Sequence, residues 1–175
     1  MKFTSFKIVG IALALSVSAY ACNCGCKDQG KDHKHKTDAT TETVKTKASA
    51  GEAIVITGND TMQFDKTAIE IKAGEPIKIV FKNGGNLPKV AMGHNLVILK
   101  PGTDPIAFGG AAASAKDTEY IPQDEANKAL VVANTKVLGP GEEDTIEVTL
   151  EAGEYPFVCS FPGHAAIMKG VITAK

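Results

Sequence analysis

The chain has no tryptophan and no arginine, and its 175 residues include only four cysteines, four histidines and four methionines. Each scarcity excludes something. All nineteen basic residues are lysine, so the planar guanidinium fork that grips phosphates and base edges bidentately is missing. There is no basic patch interleaved with aromatics, and no nucleic-acid partner is expected. The apolar or small run at 8–17 has ten residues, too few for a membrane-spanning helix, which needs about 20. Residues 23–50 hold no aromatic side chain and a single β-branched aliphatic, Val44. Such a stretch cannot bury enough apolar surface to offset its ordering entropy.

The first 21 residues read as an export signal. A basic start with Lys2 and Lys7 precedes the short apolar run, and Ala19-Tyr20-Ala21 supplies a small-x-small cleavage site. The working protein is therefore expected outside the cytoplasm, in the periplasm. Cleavage after Ala21 leaves Cys22 first, in a stretch similar to a loose lipobox, although Ala19 and Tyr20 stand where Leu and a small residue are commoner. Acylation at Cys22 would anchor the protein to a membrane as a lipoprotein; without it the protein is a diffusible carrier. Residues 22–50 are expected to form a disordered tether, reaching about 30 Å as a flexible coil. Charge divides the same way. The tether carries six lysines against four acids, and residues 51–175 carry eleven lysines against sixteen acids.

From residue 51 the pattern is that of one globular domain. Strands are expected at 53–57, 67–72, 77–82, 94–99, 129–133, 145–150, 155–159 and 168–174, with Ile69 and Ile71 alternating and Ile146, Val148 and Leu150 on one face. Turn residues at 72–76 and 151–153 argue for antiparallel pairing. Eight short strands over about 125 residues predict an all-β Greek-key sandwich or flattened barrel. The Ala-rich stretch 104–116 predicts one short helical flap, interrupted by Gly109-Gly110.

Three of the four cysteines, Cys22, Cys24 and Cys26, lie in the tether; Cys159 stands alone in the domain. A lone thiol in an oxidising compartment is a hazard unless something occupies it. The segment Cys159-Ser-Phe-Pro-Gly-His164-Ala-Ala-Ile-Met168 places a thiol, an imidazole and a thioether within ten residues. These donors suit copper, and a trigonal His₂Cys set with a long axial Met defines a blue-copper electron-transfer centre. Zinc prefers four strong ligands and gains little from Met. The second imidazole is His94, the one other histidine outside the N-terminal region. In the tether, Cys24, Cys26, His33 and His35 read either as a loose second metal site or as a solvated linker with a disulfide.

Four segments resemble the azurin family of cupredoxins, bacterial blue copper proteins that carry single electrons. They are Gly58-Asn59-Asp60-x-Met62-Gln63-Phe64, Gly85-Asn86-Leu87-Pro88-Lys89, Met92-Gly93-His94-Asn95, and Cys159-x-Phe161-Pro162-Gly163-His164-x-x-x-Met168-Lys169-Gly170. They run in order from about Glu52 to Lys175. The four-residue gap between Cys159 and His164 and the three-residue gap before Met168 match azurins; plastocyanin-like proteins have a shorter first gap. The resemblance implies one copper ion bound by His94, Cys159 and His164, with Met168 as weak axial donor and the Gly93 carbonyl as a second axial contact. It implies that Asn95, Ser160 and Phe161 orient these ligands. Met62, Leu87, Met92, Phe161, Pro162 and Gly163 are then expected to form an apolar collar where redox protein partners dock, on a monomer or weak dimer. Three departures stand out: Glu52 and Glu75 replace the family's disulfide cysteines, Leu96 its buried tryptophan, and Asn83 a histidine that titrates in some members. An enzyme would need further histidines for a second copper, and Cys159 is flanked by Val158 and Ser160. A copper-delivery protein using the Cys/His tail is the other alternative.

Overall fold

A computed structural model describes residues 45–47 and 51–175. The expected signal peptide, Cys22, Cys24, Cys26, His33, His35 and most of the expected tether lie outside the described residues. The strands are β1 (Lys45–Lys47), β2 (Ala53–Gly58), β3 (Ala68–Ile71), β4 (Pro76–Asn83), β5 (Val97–Leu99), β6 (Val131–Asn134), β7 (Glu143–Thr149), β8 (Gly153–Val158) and β9 (Lys169–Ala174). Among the described residues three short α-helices are interspersed, α1 (Lys89–Met92), α2 (Pro105–Ala112) and α3 (Glu125–Lys128), with a 3₁₀ turn at Lys116–Thr118. All eight expected strands are present. β1 is additional, and it puts three residues of the expected tether into a sheet.

The strands make two sheets, one of six in the order β1-β3-β9-β8-β5-β6 and one of three in the order β2-β4-β7. Antiparallel pairing was expected throughout, and this is corrected. β2 pairs parallel with β4, and β3 pairs parallel with both β1 and β9. The reason is topological. The chain crosses from one sheet to the other between β2 and β3 and crosses back before β4, so β2 and β4 become same-sheet neighbours running the same way. The remaining pairs are antiparallel.

Alternation along each strand supplies the core between the sheets. Ile54 and Ile56 of β2, Ile77, Ile79 and Phe81 of β4 and Val148 of β7 face Ile69, Ile71, Ile98, Phe157 and Ile172 of the larger sheet. Each such side chain contributes roughly 1.5–3 kcal/mol of burial. β5 is buried on both faces. Its outer residues Val97 and Leu99 pack with Phe108 and Ala112 of α2 in a second apolar cluster. α2 falls within the expected stretch 104–116 but runs unbroken through Gly109-Gly110 and ends at Ala112; Asp104 caps it by accepting a hydrogen bond from the Ile106 N–H at 2.9 Å, with Pro105 at the first position.

The strand expected at 94–99 is shortened to Val97–Leu99. His94 makes only an isolated bridge to Leu138, and the Leu96 N–H donates to Thr135 Oγ1 at 2.9 Å rather than to a ladder carbonyl. This early exit from the sheet carries His94 to the end of the sandwich where β8 gives way to Cys159.

Candidate metal centre

Cys159 directly follows β8 and Met168 directly precedes β9, so the antiparallel pairing of Val158 with Lys169 closes the loop between them. The Cys159 N–H donates to the Met168 carbonyl at 2.9 Å. Inside the loop the His164 N–H donates to Phe161 O at 3.0 Å and the Met168 N–H to His164 O at 2.8 Å. Gly163 takes φ +84° at the turn, a left-handed conformation that glycine adopts without steric cost. The segment His164–Met168 is thus a hydrogen-bonded turn.

His94, Cys159 and His164 converge, with exposures of 0%, 0% and 3%. His94 Nδ1 lies 3.2 Å from His164 Nδ1, and Cys159 Sγ lies 3.8 Å and 3.5 Å from those two nitrogens. Nitrogens about 2.0–2.1 Å and a thiolate about 2.3 Å from one ion fall roughly 3–4 Å apart at trigonal angles. The three atoms fit a single metal ion. Burial pushes the His94 pKa down, although the Asn59 backbone and the Asp60 carboxylate oppose it. Burial and then the His94 charge bring His164 down to about 4. Both rings are therefore neutral at pH 7, as metal ligation requires. His94 turns its Nδ1 to the site, as its distances to His164 Nδ1 and Cys159 Sγ show. Burial lifts the Cys159 thiol to about 12, and the backbone N–H groups of Asn95 and Phe161 oppose that shift. Those same groups favour the thiolate once a cation is present.

Met168 is fully buried. A Cβ on Gly58 would come within 2.7 Å of the Met168 methyl carbon and 3.4 Å of His94 Cδ2, so the thioether and the His94 ring converge on this glycine. Gly93 is equally hemmed in: a Cβ there would meet Lys89 O and Val137 Cγ1 at 2.7 Å and Phe161 Cε2 at 3.1 Å. The Asn95 amide, fully buried, ties two ligand segments together. Its Oδ1 accepts from the Ser160 N–H at 2.8 Å, and its Nδ2 donates to Ser160 Oγ at 2.9 Å and to Glu119 O at 3.1 Å. Phe161 packs on the His164 ring at 4.8 Å between centroids.

The expected collar residues are unequal in exposure. Leu87 is 44% exposed, Pro162 and Gly163 are exposed, Met62 and Met92 are half-buried, and Phe161 is 8% exposed. Val90, 81% exposed, is an apolar side chain on the same segment that the motif comparison passed over. Asp60 was likewise missed. It accepts from the Asn86 N–H at 2.8 Å and the Leu87 N–H at 3.3 Å, holding the Met62 loop against the Leu87 loop. Glu119 and Tyr120 were missed too. Both have φ 57°, Glu119 takes the Val137 N–H at 2.7 Å, and Tyr120 packs on Phe161 at 5.1 Å. No local pattern marks these last two, because their partners are distant in sequence. Asn83 is buried, donates to Leu138 O at 3.0 Å and accepts from the Gly85 N–H at 2.9 Å. Leu96 is fully buried, and Glu75 pairs with Lys72.

The comparisons agree with this geometry. A family model described as copper binding proteins, plastocyanin/azurin family, matches residues 50–175. Azurin-1 of Alcaligenes xylosoxydans xylosoxydans is 43% identical over 125 residues, covering 69% of this chain and 95% of that protein. Outer membrane protein H.8 of Neisseria meningitidis serogroup B is 42% identical over 125 residues, covering 69% of this chain and 66% of that longer protein. Among solved structures, dithionite-reduced auracyanin from the photosynthetic bacterium Roseiflexus castenholzii matches with TM-score 0.61 and 34% identity, over 72% of this chain and 98% of that one. With two imidazoles and a thiol converging on one point, the donor set calls for one copper ion, and the chain belongs to the plastocyanin/azurin family of copper binding proteins.

Proposed function

We propose that the protein is a one-electron carrier with a single blue copper site. One observation carries this reading: two imidazole nitrogens and one thiol sulfur, all buried, stand 3.2–3.8 Å apart at the end of the β-sandwich. Bound copper supplies the Cu(I)/Cu(II) couple there. The chain supplies the geometry. His94, Cys159 and His164 would hold the ion, with Met168 and the Gly93 carbonyl as weaker donors beside them. Asn95 and Ser160 lock the His94 segment to the ligand loop, so neither oxidation state can relax the donors far. The Asn95 and Phe161 N–H groups stabilise the thiolate. Outside the tether no histidine remains for a second copper, which favours a carrier over an enzyme. The decisive experiment is the visible spectrum and reversible redox cycling of the copper-loaded chain. A colourless protein, or one whose copper exchanges freely without cycling, would overturn the reading and favour copper delivery.

Replacing Met168 by Leu should leave copper bound and the site blue while raising the reduction potential. A long axial bond contributes little to binding, but its donor favours Cu(II) over Cu(I). Loss of copper would show that Met168 is needed to hold the ion, and an unchanged potential in voltammetry would remove it from the site.

Partners are proposed to dock on the apolar collar. Gly93 meets Phe161, and Asp60 staples the Leu87 loop to the Met62 loop, so Met62, Leu87, Met92, Phe161, Pro162 and Gly163 belong to neighbouring segments at the ligand end. Met side chains suit weak, adaptable contacts. Met92→Lys should slow electron self-exchange about tenfold or more at low salt, since each ~1.4 kcal/mol added to the barrier is one decade and the lysines would face each other across the contact. An unchanged rate by NMR line broadening would place the exit elsewhere.

Export and anchoring belong to the same proposal. The relative's name places H.8 at an outer membrane, and a lipidated Cys22 with a tether would hold this domain at a membrane surface. Among the described residues no helix is long and apolar enough to cross a membrane.

A further inference from the structure

α2 carries two adjacent glycines in its interior, Gly109 and Gly110, although glycine is the poorest helix former after proline. Their surroundings differ sharply. A Cβ on Gly110 would meet nothing within 4 Å, whereas a Cβ on Gly109 would lie 2.2 Å from the Cβ of Ala165. Ala165 directly follows His164 and is itself buried. The apolar cluster at this contact joins Phe108 and Ala112 of α2 to Val97, Val158 and Ala165. Val158 precedes Cys159 and Ala165 follows His164, so the helix rests on chain neighbours of two of the three converging donors.

We propose that Gly109 is a positioning residue for the ligand loop: its missing side chain lets α2 seat directly on Ala165 and so sets where His164 stands. This rests on the copper reading above. The route from contact to donor is short. The Ile167 and Met168 N–H groups both donate to His164 O, and the His164 N–H donates to Phe161 O. A push on Ala165 therefore displaces His164 and Met168 as one turn instead of being absorbed by a slack loop. The gap is too small to accommodate a methyl group, because real Cβ atoms do not approach to 2.2 Å.

Four full-length proteins test this: the native chain, Gly109→Ala, Gly110→Ala and the double variant Gly109→Ala/Ala165→Gly. The double variant removes the colliding carbon, leaving the Ala165 Cα at an ordinary 3.7 Å. Gly109→Ala should shift the amide resonances of residues 164–168 in the metal-free chain, lower its urea midpoint, and change both the copper hyperfine splitting and the reduction potential when loaded. Gly110→Ala should leave resonances, hyperfine splitting and potential native, with an equal or higher midpoint. The double variant should recover the native hyperfine splitting and potential. Native values in Gly109→Ala would overturn the proposal, and so would a double variant that folds poorly or fails to recover them. A native chain that binds no blue copper would instead overturn the functional reading; the metal-free resonances would still report on the contact.

Discussion

Replacing Cys159 by serine is expected to abolish the intense visible absorption of the copper-loaded chain while leaving the sandwich folded. Cys159 is the only free cysteine among the described residues, and it is buried. Its sulfur is the soft donor of the set, and the absorption of such a centre arises from thiolate-to-copper charge transfer. A serine hydroxyl is smaller and harder, and it is far less readily deprotonated. In the metal-free protein it still sits before the backbone N–H groups of Asn95 and Phe161 that act on the sulfur. The cost to folding should then stay at the low end of the ~1–3 kcal/mol typical of a buried hydroxyl. Absorption and circular dichroism spectra check both halves. A serine variant that remained blue would remove Cys159 from the centre.

Copper itself should be the largest single stabiliser of the domain. The three donors are assembled by residues 94, 159 and 164, which come together only on folding, so the ion binds the folded chain in preference to the unfolded one. At free copper 100 to 1,000 times the dissociation constant, the gain is about 2.7–4.1 kcal/mol. A chain shortened to Thr40–Lys175, which keeps β1 and has Cys159 as its one cysteine, should unfold at a clearly higher urea concentration with copper than without. Its metal-free midpoint should not respond to a thiol reductant, since Glu52 and Glu75 stand where a bridge would otherwise form. In the chain-entropy model, a bridge closing a loop of this size would contribute roughly 3 kcal/mol. The same midpoint with and without copper would mean that the donors are not preassembled.

The ligand loop was legible because its information is local. Cys159, His164 and Met168 lie within ten residues, their spacing is copied into one hydrogen-bonded turn, and Pro162-Gly163 marks where it reverses. His94 was found by elimination and by its motif. Asn95 was legible through its place beside His94; Asp60, Glu119 and Tyr120 were not, because each acts on a residue remote in sequence. Strand alternation marked the core faces of β3, through Ile69 and Ile71, and of β7, through Ile146 and Val148, since the intervening residues are less buried. It could not describe β5, whose Val97–Leu99 run is buried throughout by the sandwich on one side and α2 on the other.

By itself, then, the amino-acid sequence determined the short-range features: which side chains can ligate a soft metal and where strands turn. Only the tertiary structure decided the rest. Pairing direction depends on which sheet the chain enters after each turn, and nothing within β2 or β4 encodes their parallel alignment. The length of β5 depends on Thr135 capturing the Leu96 N–H across 39 residues. Gly109 looks like a helix breaker until Ala165, 56 positions away, is placed against it. Periodicity records how each residue divides between core and solvent. It holds no record of which distant residue fills the space opposite, and at this site that filling governs where the donors stand.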